Sequence, residues 1–292
     1  MTTLRPYTES DREAALALLR RHVQRSLTGE SRAFTVHPGD WDWWMDHPDP
    51  RVPPATILLD DDTLVERGHD GMLVAFTSTP QRLADVLTVD LPAAGVGPVG
   101  VVSSVADDDL ERGRVLTELG FAPDPSAEAP VFLRPLTGDL PEIHLPAGYT
   151  LREVTDADAE SRADAARLAF ASTMDASTHR ARYRRFMASP GYTRAVDLAA
   201  VAPDGSVAAF AIVWPDDELG LGQFEPVGTH PEHVRLGLGR AVVVAGTHQL
   251  QGRGMKMARV TTNADRTPAI ELYRRCGFEQ VQLVRDWSRP TA

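Results

Sequence analysis

Apolar residues along the chain follow two periods, and the switches between them outline the elements. In the second half, Leu238, Ala241, Val242 and Ala245 recur at helical spacing, predicting a helix to about residue 252 with one face packed on a sheet. Ahead of it, "DLAAVA" leads through the turn "PDGS" into "VAAFAIVW", a hairpin signal. A first strand is predicted over about 149–154, then helices over about 157–188 that "SPG" at 189–191 ends. Another strand follows at about 222–229, just before the helix that runs to 252. Beyond that helix, "MARVTTN" reads as a strand and "TPAIELYRRCG" as a helix with Pro268 in its first turn, with "QVQLVRDW" as a closing strand. Such alternation implies an α/β fold of mixed sheet with flanking helices.

The same design occurs twice. "LRPYTESD" begins at Leu4 and "LREVTDAD" at Leu151, each followed by an alanine-rich amphipathic helix. "VLTELGF" ends at Phe121 and "LYRRCGF" at Phe278, so the two copies close alike as well. The seam falls near residues 135–149, where prolines and glycines cluster. The expected organisation is two tandem domains, residues 1–140 and 146–292, each a mixed, mostly antiparallel twisted sheet flanked by helices.

Composition narrows the partners. The 292 residues carry a formal net charge of −11, which argues against nucleic acid as a bulk partner, because phosphate backbones are gripped by basic surfaces. A single cysteine, Cys276, provides no disulfide framework within the chain and fits a reducing compartment. No apolar run approaches the roughly 20 residues of a membrane span, and "MTTLRPYTESDRE" is charged where a secretory signal needs an apolar core. The reading is cytoplasmic, with no membrane partner, as a monomer or homodimer.

Candidate chemistry starts at "HPEHVRLGLGRAVVVAG", where Gly237 and Gly239 sit between an extended and a helical run. The first N–H groups of a helix lack intrahelical partners, and the helix dipole adds roughly half a positive charge there, so such a corner suits a phosphate. The dinucleotide fingerprint requires a third glycine where Val242 stands, and no P-loop sequence is present. "THPEHVRLGLGRAV" followed by "VTTNADRTPAIELYRRCGF" resembles the GNAT acetyltransferases, clearly over residues 150–286 and more weakly over 1–136. The tandem layout is also similar to that of mycothiol synthases.

This resemblance implies acetyl-CoA as co-substrate. Its cradle would comprise Val227, Gly228 and Thr229 on the preceding strand, Val234, Arg235, Leu236, Gly237, Leu238, Gly239 and Arg240 at the corner, and Asn263 and Arg266 in the last segment. Two positions depart from the family pattern: Val234 replaces an Arg or Gln, and Arg266 takes the usual Asn place. Since backbone groups do most of the pyrophosphate work, Val234 should weaken binding rather than abolish it, with Arg235 and Arg240 placed to compensate in part. Tyr273 matches the tyrosine the family sets near the sulfur, and a phenol is a suitable proton donor to a departing thiolate. Glu225, sharing a strand face with Gln223, is the candidate base for an acceptor amine. Pro226 next to it favours a bulge or an edge.

The expected function is transfer of acetyl to the amine of a small molecule by direct attack in a ternary complex, without metal. Alternatives are a non-catalytic acyl-CoA-binding module and a protein amine acetyltransferase. His230 and His233 have no evident third ligand nearby. The acidic "DDE" at 216–218 is a minor candidate for attracting a cationic amine to the cleft mouth, and the basic run at 179–186 reads as a solvated helix face. Trp41, Trp43 and Trp44 are expected in core or interface packing. The first copy is expected to be silent: Leu116 stands where Tyr273 stands in the second, and "PAAGVGP", all that lies between "ADVLTVDL" and "GVVSSVA", is too short for a helix of the kind that follows Gly239.

Overall fold

The repeated opening motif sets one local structure in both halves. In the computed structural model, which describes residues 4–33, 35–68 and 70–290, Asp11 accepts from the Thr8 backbone N–H (2.8 Å) and from Arg5 (2.6 Å). Asp158 does the same with Thr155 (2.8 Å) and Arg152 (2.7 Å). Each Leu-Arg-x-x-Thr-x-x-Asp segment is therefore a capping box that also tethers the first strand of its half. The closing motifs match too, with Phe121 N donating to Leu116 O at 2.9 Å and Phe278 N to Tyr273 O at 3.0 Å.

Twelve strands form one sheet. The first half contributes β1 (Arg5–Pro6), β2 (Thr56–Leu59), β3 (Thr63–Arg67), β4 (Met72–Thr77), β5 (Val101–Ala106) and β6 (Ala122–Pro135). The second contributes β7 (Thr150–Glu153), β8 (Val196–Val201), β9 (Val207–Asp216), β10 (Leu221–Thr229), β11 (Met257–Thr261) and β12 (Glu279–Ser288). The order is β1-β2-β3-β4-β5-β12-β6-β11-β10-β9-β8-β7. Among the described residues only β4–β5 and β10–β11 pair in parallel. The final strands are exchanged, with β6 lying against β11 of the second half and β12 against β5 of the first, and the two pair with each other.

Helices cover this sheet: α1 (Arg12–Leu27), α2 (Pro38–Asp46), α3 (Pro80–Asp85), α4 (Leu91–Ala93) and α5 (Leu110–Glu118) in the first half. The second half has α6 (Ala159–Ala169), α7 (Ala176–Met187), α8 (Leu238–Gly252) and α9 (Thr267–Arg275). Among the described residues no helix is long and apolar enough to cross a membrane.

One expectation needs correction. The helix expected to be missing lies ahead of "PAAGVGP": residues 80–93, which include "ADVLTVDL", are helical throughout, with a π turn at Val86–Asp90 between α3 and α4. The first half therefore does have a helix between its two central strands. Buried Leu83, Val86, Leu87 and Leu91 lie three or four positions apart, a helical stripe.

Helix α2 wedges between the halves. Trp41 is fully buried in the first core, whereas Trp43 stacks on His47 (4.0 Å between ring centres) and meets Phe186 of α7 edge-on (4.8 Å). Asp42 pairs with Arg12 of its own half and Arg194 of the other, each at 2.8 Å. The acidic "DDE" belongs to this seam, where Arg20 of α1 pairs with Asp216 (2.8 Å) and Glu218 (3.3 Å), and it lines a cavity of about 550 Å³ separate from the glycine corner. Much of the basic run on α7 is likewise engaged: Arg180 with Asp164, Arg184 with Glu160 (2.7 Å), and Arg182 with the His47 carbonyl.

Burial at this seam gives a pH dependence. Neither ring nitrogen of His47 finds a partner among the described residues, and burial, then Arg182, hold its pKa down to about 2. His179 on α7 is lowered by the same two causes. The folded protein binds a proton on either ring less readily than the unfolded chain does, so above about pH 6.5 they exact no proton-linked penalty. Below that value the unfolded chain binds protons the folded one refuses. Stability is expected to fall by about 1.4 kcal/mol per pH unit for His47 alone, read as a lower urea midpoint at pH 5.5 than at pH 7.5. Replacing His47 with glutamine should flatten the slope.

Candidate active site

The glycine corner is built by alternating backbone handedness. Arg235 (φ +64°) and Gly237 (φ +80°) are left-handed, a conformation that turns successive N–H groups to one side as an anion-binding nest. A side chain at Gly237 would meet nothing within 4 Å, so its glycine answers to the backbone angle and not to crowding. Among the described residues no carbonyl accepts from the N–H groups of 235–237, and the first recorded bond back to the corner is Ala241 N to Gly237 O at 3.0 Å. Leu238, Ala241, Val242 and Ala245 are buried beneath it, as their spacing predicts. Val234 (46% exposed) and Leu236 (43%) face outward, and the Tyr149 hydroxyl ties His233 in the preceding turn at 2.9 Å.

Next to this corner the sheet opens. Strands β10 and β11 pair from Leu221–Met257 to Phe224–Val260 and then part, while β10 and β9 slip register between Phe224 and Val227. Pro226 supplies no N–H, which accounts for a break in the ladder at that point. The result is a cleft of about 990 Å³ lined by every proposed cofactor residue except Leu236, and by Glu225 and Tyr273. Arg240 is turned aside, donating to the Glu142 carbonyl at 3.4 Å.

The two candidate catalytic side chains share this space. Glu225 is half-buried; among the described residues its carboxylate has no hydrogen-bond or ion-pair partner, while its carbonyl accepts from Trp214 Nε1 at 2.7 Å. Burial first, and the negative charge of Asp40 second, push its pKa up to about 8. Tyr273 is 5% exposed between Phe132 and Phe278, and burial followed by the charge of Glu225 raises its pKa, keeping the phenol protonated. One carboxylate poised near neutrality and one phenol held neutral form the pairing that separates a base from an acid. Cys276 lies fully buried at the end of α9, its thiol pushed up to about 11 by burial, which makes it inert packing.

Three participants in the cleft were not foreseen. Thr261 presents a buried hydroxyl without a partner among the described residues, Phe170 lines the opposite wall from the end of α6, and Asp40 acts from the other half. The strand end at Thr261 was visible in the sequence; the other two are brought in by tertiary packing alone.

At the equivalent place in the first half the cleft is shut. Strands β4 and β5 pair only at Met72–Val101 and Leu73–Val102 before diverging, but Arg112 of α5 spans the gap to Thr77 Oγ1 (2.9 Å) and O (3.3 Å). A cavity of about 20 Å³ remains, room for a single water. In the register that sets Leu116 opposite Tyr273, Arg112 stands opposite Ala269, which lines the open cleft. The helix after β4 starts at Thr79-Pro80, capped by the Thr79 side chain, and has no glycine corner.

Comparison with known proteins agrees with this geometry. Residues 164–278 match the acetyltransferase (GNAT) family model. Mycothiol acetyltransferase of Arthrobacter sp. (strain FB24) is 34% identical over 148 residues, 48% of this chain and 45% of that protein. Its counterpart in Clavibacter michiganensis subsp. michiganensis is 32% identical over 185 residues, 63% of this chain and 56% of that protein. The chain thus spans about half the length of the curated relatives it matches. A tandem GNAT protein from the clavulanic acid biosynthesis pathway superposes with a TM-score of 0.65 at 14% identity, covering 99% of both chains. A GCN5-related N-acetyltransferase from Sphaerobacter thermophilus superposes with a TM-score of 0.62 at 17% identity, covering 99% and 96%. The fold is that of a tandem GNAT protein. The family match falls within the second half, and the first half repeats the same fold.

Proposed function

We propose that this protein is an acetyl-CoA-dependent N-acetyltransferase acting on the amine of a small molecule, with the reaction confined to the second half. The supporting observation is the convergence of unpaired corner amides, Glu225 and Tyr273 on one cleft where β10 and β11 part. The relatives named for acetylating mycothiol favour a small acceptor over a protein.

Acetyl-CoA supplies an activated thioester carbonyl and a thiol leaving group. The corner amides, with Arg235, bind the diphosphate and so fix where the sulfur lies. Asn263 and Arg266 flank the same passage, and Val227, Gly228 and Thr229 offer main-chain contacts beside the pantetheine. Glu225 accepts the proton of the acceptor amine, directly or through a water, leaving a lone pair free to attack. Tyr273 donates its proton to the sulfur as the carbon–sulfur bond breaks, and the proton left on the newly bonded nitrogen returns to the phenolate through solvent. Alignment of the two reactants in one cleft supplies the remainder of the rate.

Calorimetry with acetyl-CoA is expected to show one site per chain, and the Val234→Arg variant should bind three- to tenfold more tightly, since an exposed charge near a phosphate contributes about 1 kcal/mol. That gain should shrink as salt rises. Absence of heat with any acyl-CoA would end the proposal, and incorporation of acetyl into peptides but not small amines would redirect it to a protein acceptor.

A further inference from the structure

The first half reaches the base strand at three consecutive points. His37 Nε2 lies 3.2 Å from the Leu221 carbonyl at the start of β10. Gly39 is packed so closely on Trp214 that a Cβ there would come within 2.3 Å of that side chain, and Trp214 in turn donates to the Glu225 carbonyl at 2.7 Å. Asp40 Oδ2 receives Arg259 Nη2 at 3.3 Å, and Arg259 Nε donates to Gln223 Oε1 at 2.8 Å, two residues before Glu225. Asp40, Gln223 and Arg259 are each buried, so this chain of contacts is screened from water. Adjacent residues of α2 thus reach β10 at two points, the Glu225 carbonyl through the indole on β9 and Gln223 through the guanidinium on β11.

We infer that Asp40 of the otherwise silent first half is a positioning residue for the Glu225 carboxylate, acting through Arg259 and Gln223 while neighbouring Gly39 acts through Trp214. The inference rests on Glu225 being the base of the proposed reaction, and it makes the second half's site incomplete without the first. It also assigns α2 a role that core packing alone would not require: a buried ion pair is seldom retained for stability, because desolvating two charges offsets most of their attraction.

The electrostatics run the same way. Burial raises Asp40 itself to about 6 and the nearby Arg259 lowers it, so Asp40 is mostly ionised at neutral pH and its charge opposes ionisation of Glu225. His37, held down to about 3 by burial and by Arg259, stays neutral. Tyr273 faces Glu225 from α9 as a neutral phenol. The other charged or titratable groups on the cleft wall are His233, Arg235, Arg240, Arg266, Glu271 and Arg275.

Titration of the full-length protein carrying carboxyl-labelled glutamate tests this without knowledge of the acceptor. The Glu225 resonance is identified by its loss in Glu225→Gln. Its midpoint is expected to drop by roughly one pH unit in Asp40→Asn, since the negative charge of Asp40 disfavours ionisation of Glu225, and to return in Asp40→Glu. Should Asp40→Asn fail to fold, the double variant Asp40→Asn/Arg259→Gln removes both charges and reads the same shift. An unmoved midpoint in the folded variant overturns the role of Asp40. A midpoint that moves while Glu225→Gln retains full turnover leaves the coupling standing and removes the base assignment instead.

Discussion

Replacing Glu225 with glutamine is expected to lower kcat/KM by roughly 100-fold or more at about pH 8, the usual contribution of a positioned base, while the dissociation constant for acetyl-CoA stays put. The parent enzyme should gain activity with rising pH and level off above about 8, where the carboxylate has lost its proton. In the variant that acidic limb should vanish, leaving a flat, low profile. Stability moves the other way. Between the ordinary carboxyl range and about 8 the folded protein retains a proton that the unfolded chain has released, so the native state is progressively penalised as pH rises and fully so above 8. Glu225→Gln should therefore melt higher than the parent at about pH 9 and no higher at about pH 4. Equal profiles for the two proteins across that range would retire Glu225 as the base.

The second large effect is expected at Tyr273. Its replacement by phenylalanine should reduce kcat about 100-fold with unchanged cofactor affinity, because proton donation to the sulfur acts only as the bond breaks. The hydroxyl has no hydrogen-bond partner among the described residues, so removing it leaves no orphaned group, and the melting temperature should hold within a few degrees. Burial and the neighbouring carboxylate keep the phenol protonated beyond its ordinary range, so the parent should show no basic limb from Tyr273 below about pH 10. Full activity in the phenylalanine variant would transfer the donor role to solvent.

Much of the architecture was legible in the second half because its signals are local. The turn at 203–206, the helical stripe after Gly239 and the Pro-initiated α9 each declare themselves within a dozen residues. The repeat was legible because Arg, Thr and Asp recur where a capping box needs them. In the first half the helix at 80–93 was not singled out, since its π turn departs from the regular 3.6-residue repeat and neither glycine corner nor family motif marks it. The shared sheet could not be foreseen either: β6 and β12 carry no mark of which neighbour they join, and only register decides. The same holds for the site. Gly237 and Tyr273 sit in motifs and Glu225 on a readable strand, whereas Asp40 influences Glu225 across some 185 positions of sequence through packing no local pattern encodes.

The traded strands bear on how the chain matures. When β6 leaves the ribosome, neither β11 nor β12 yet exists, so it must wait as a bare edge through the synthesis of well over a hundred residues. Only when the final strand slides between β5 and β6 do both halves close at once. A product that stops short of residue 279 would leave two open edges in its place, ready to capture the same strands from another nascent chain.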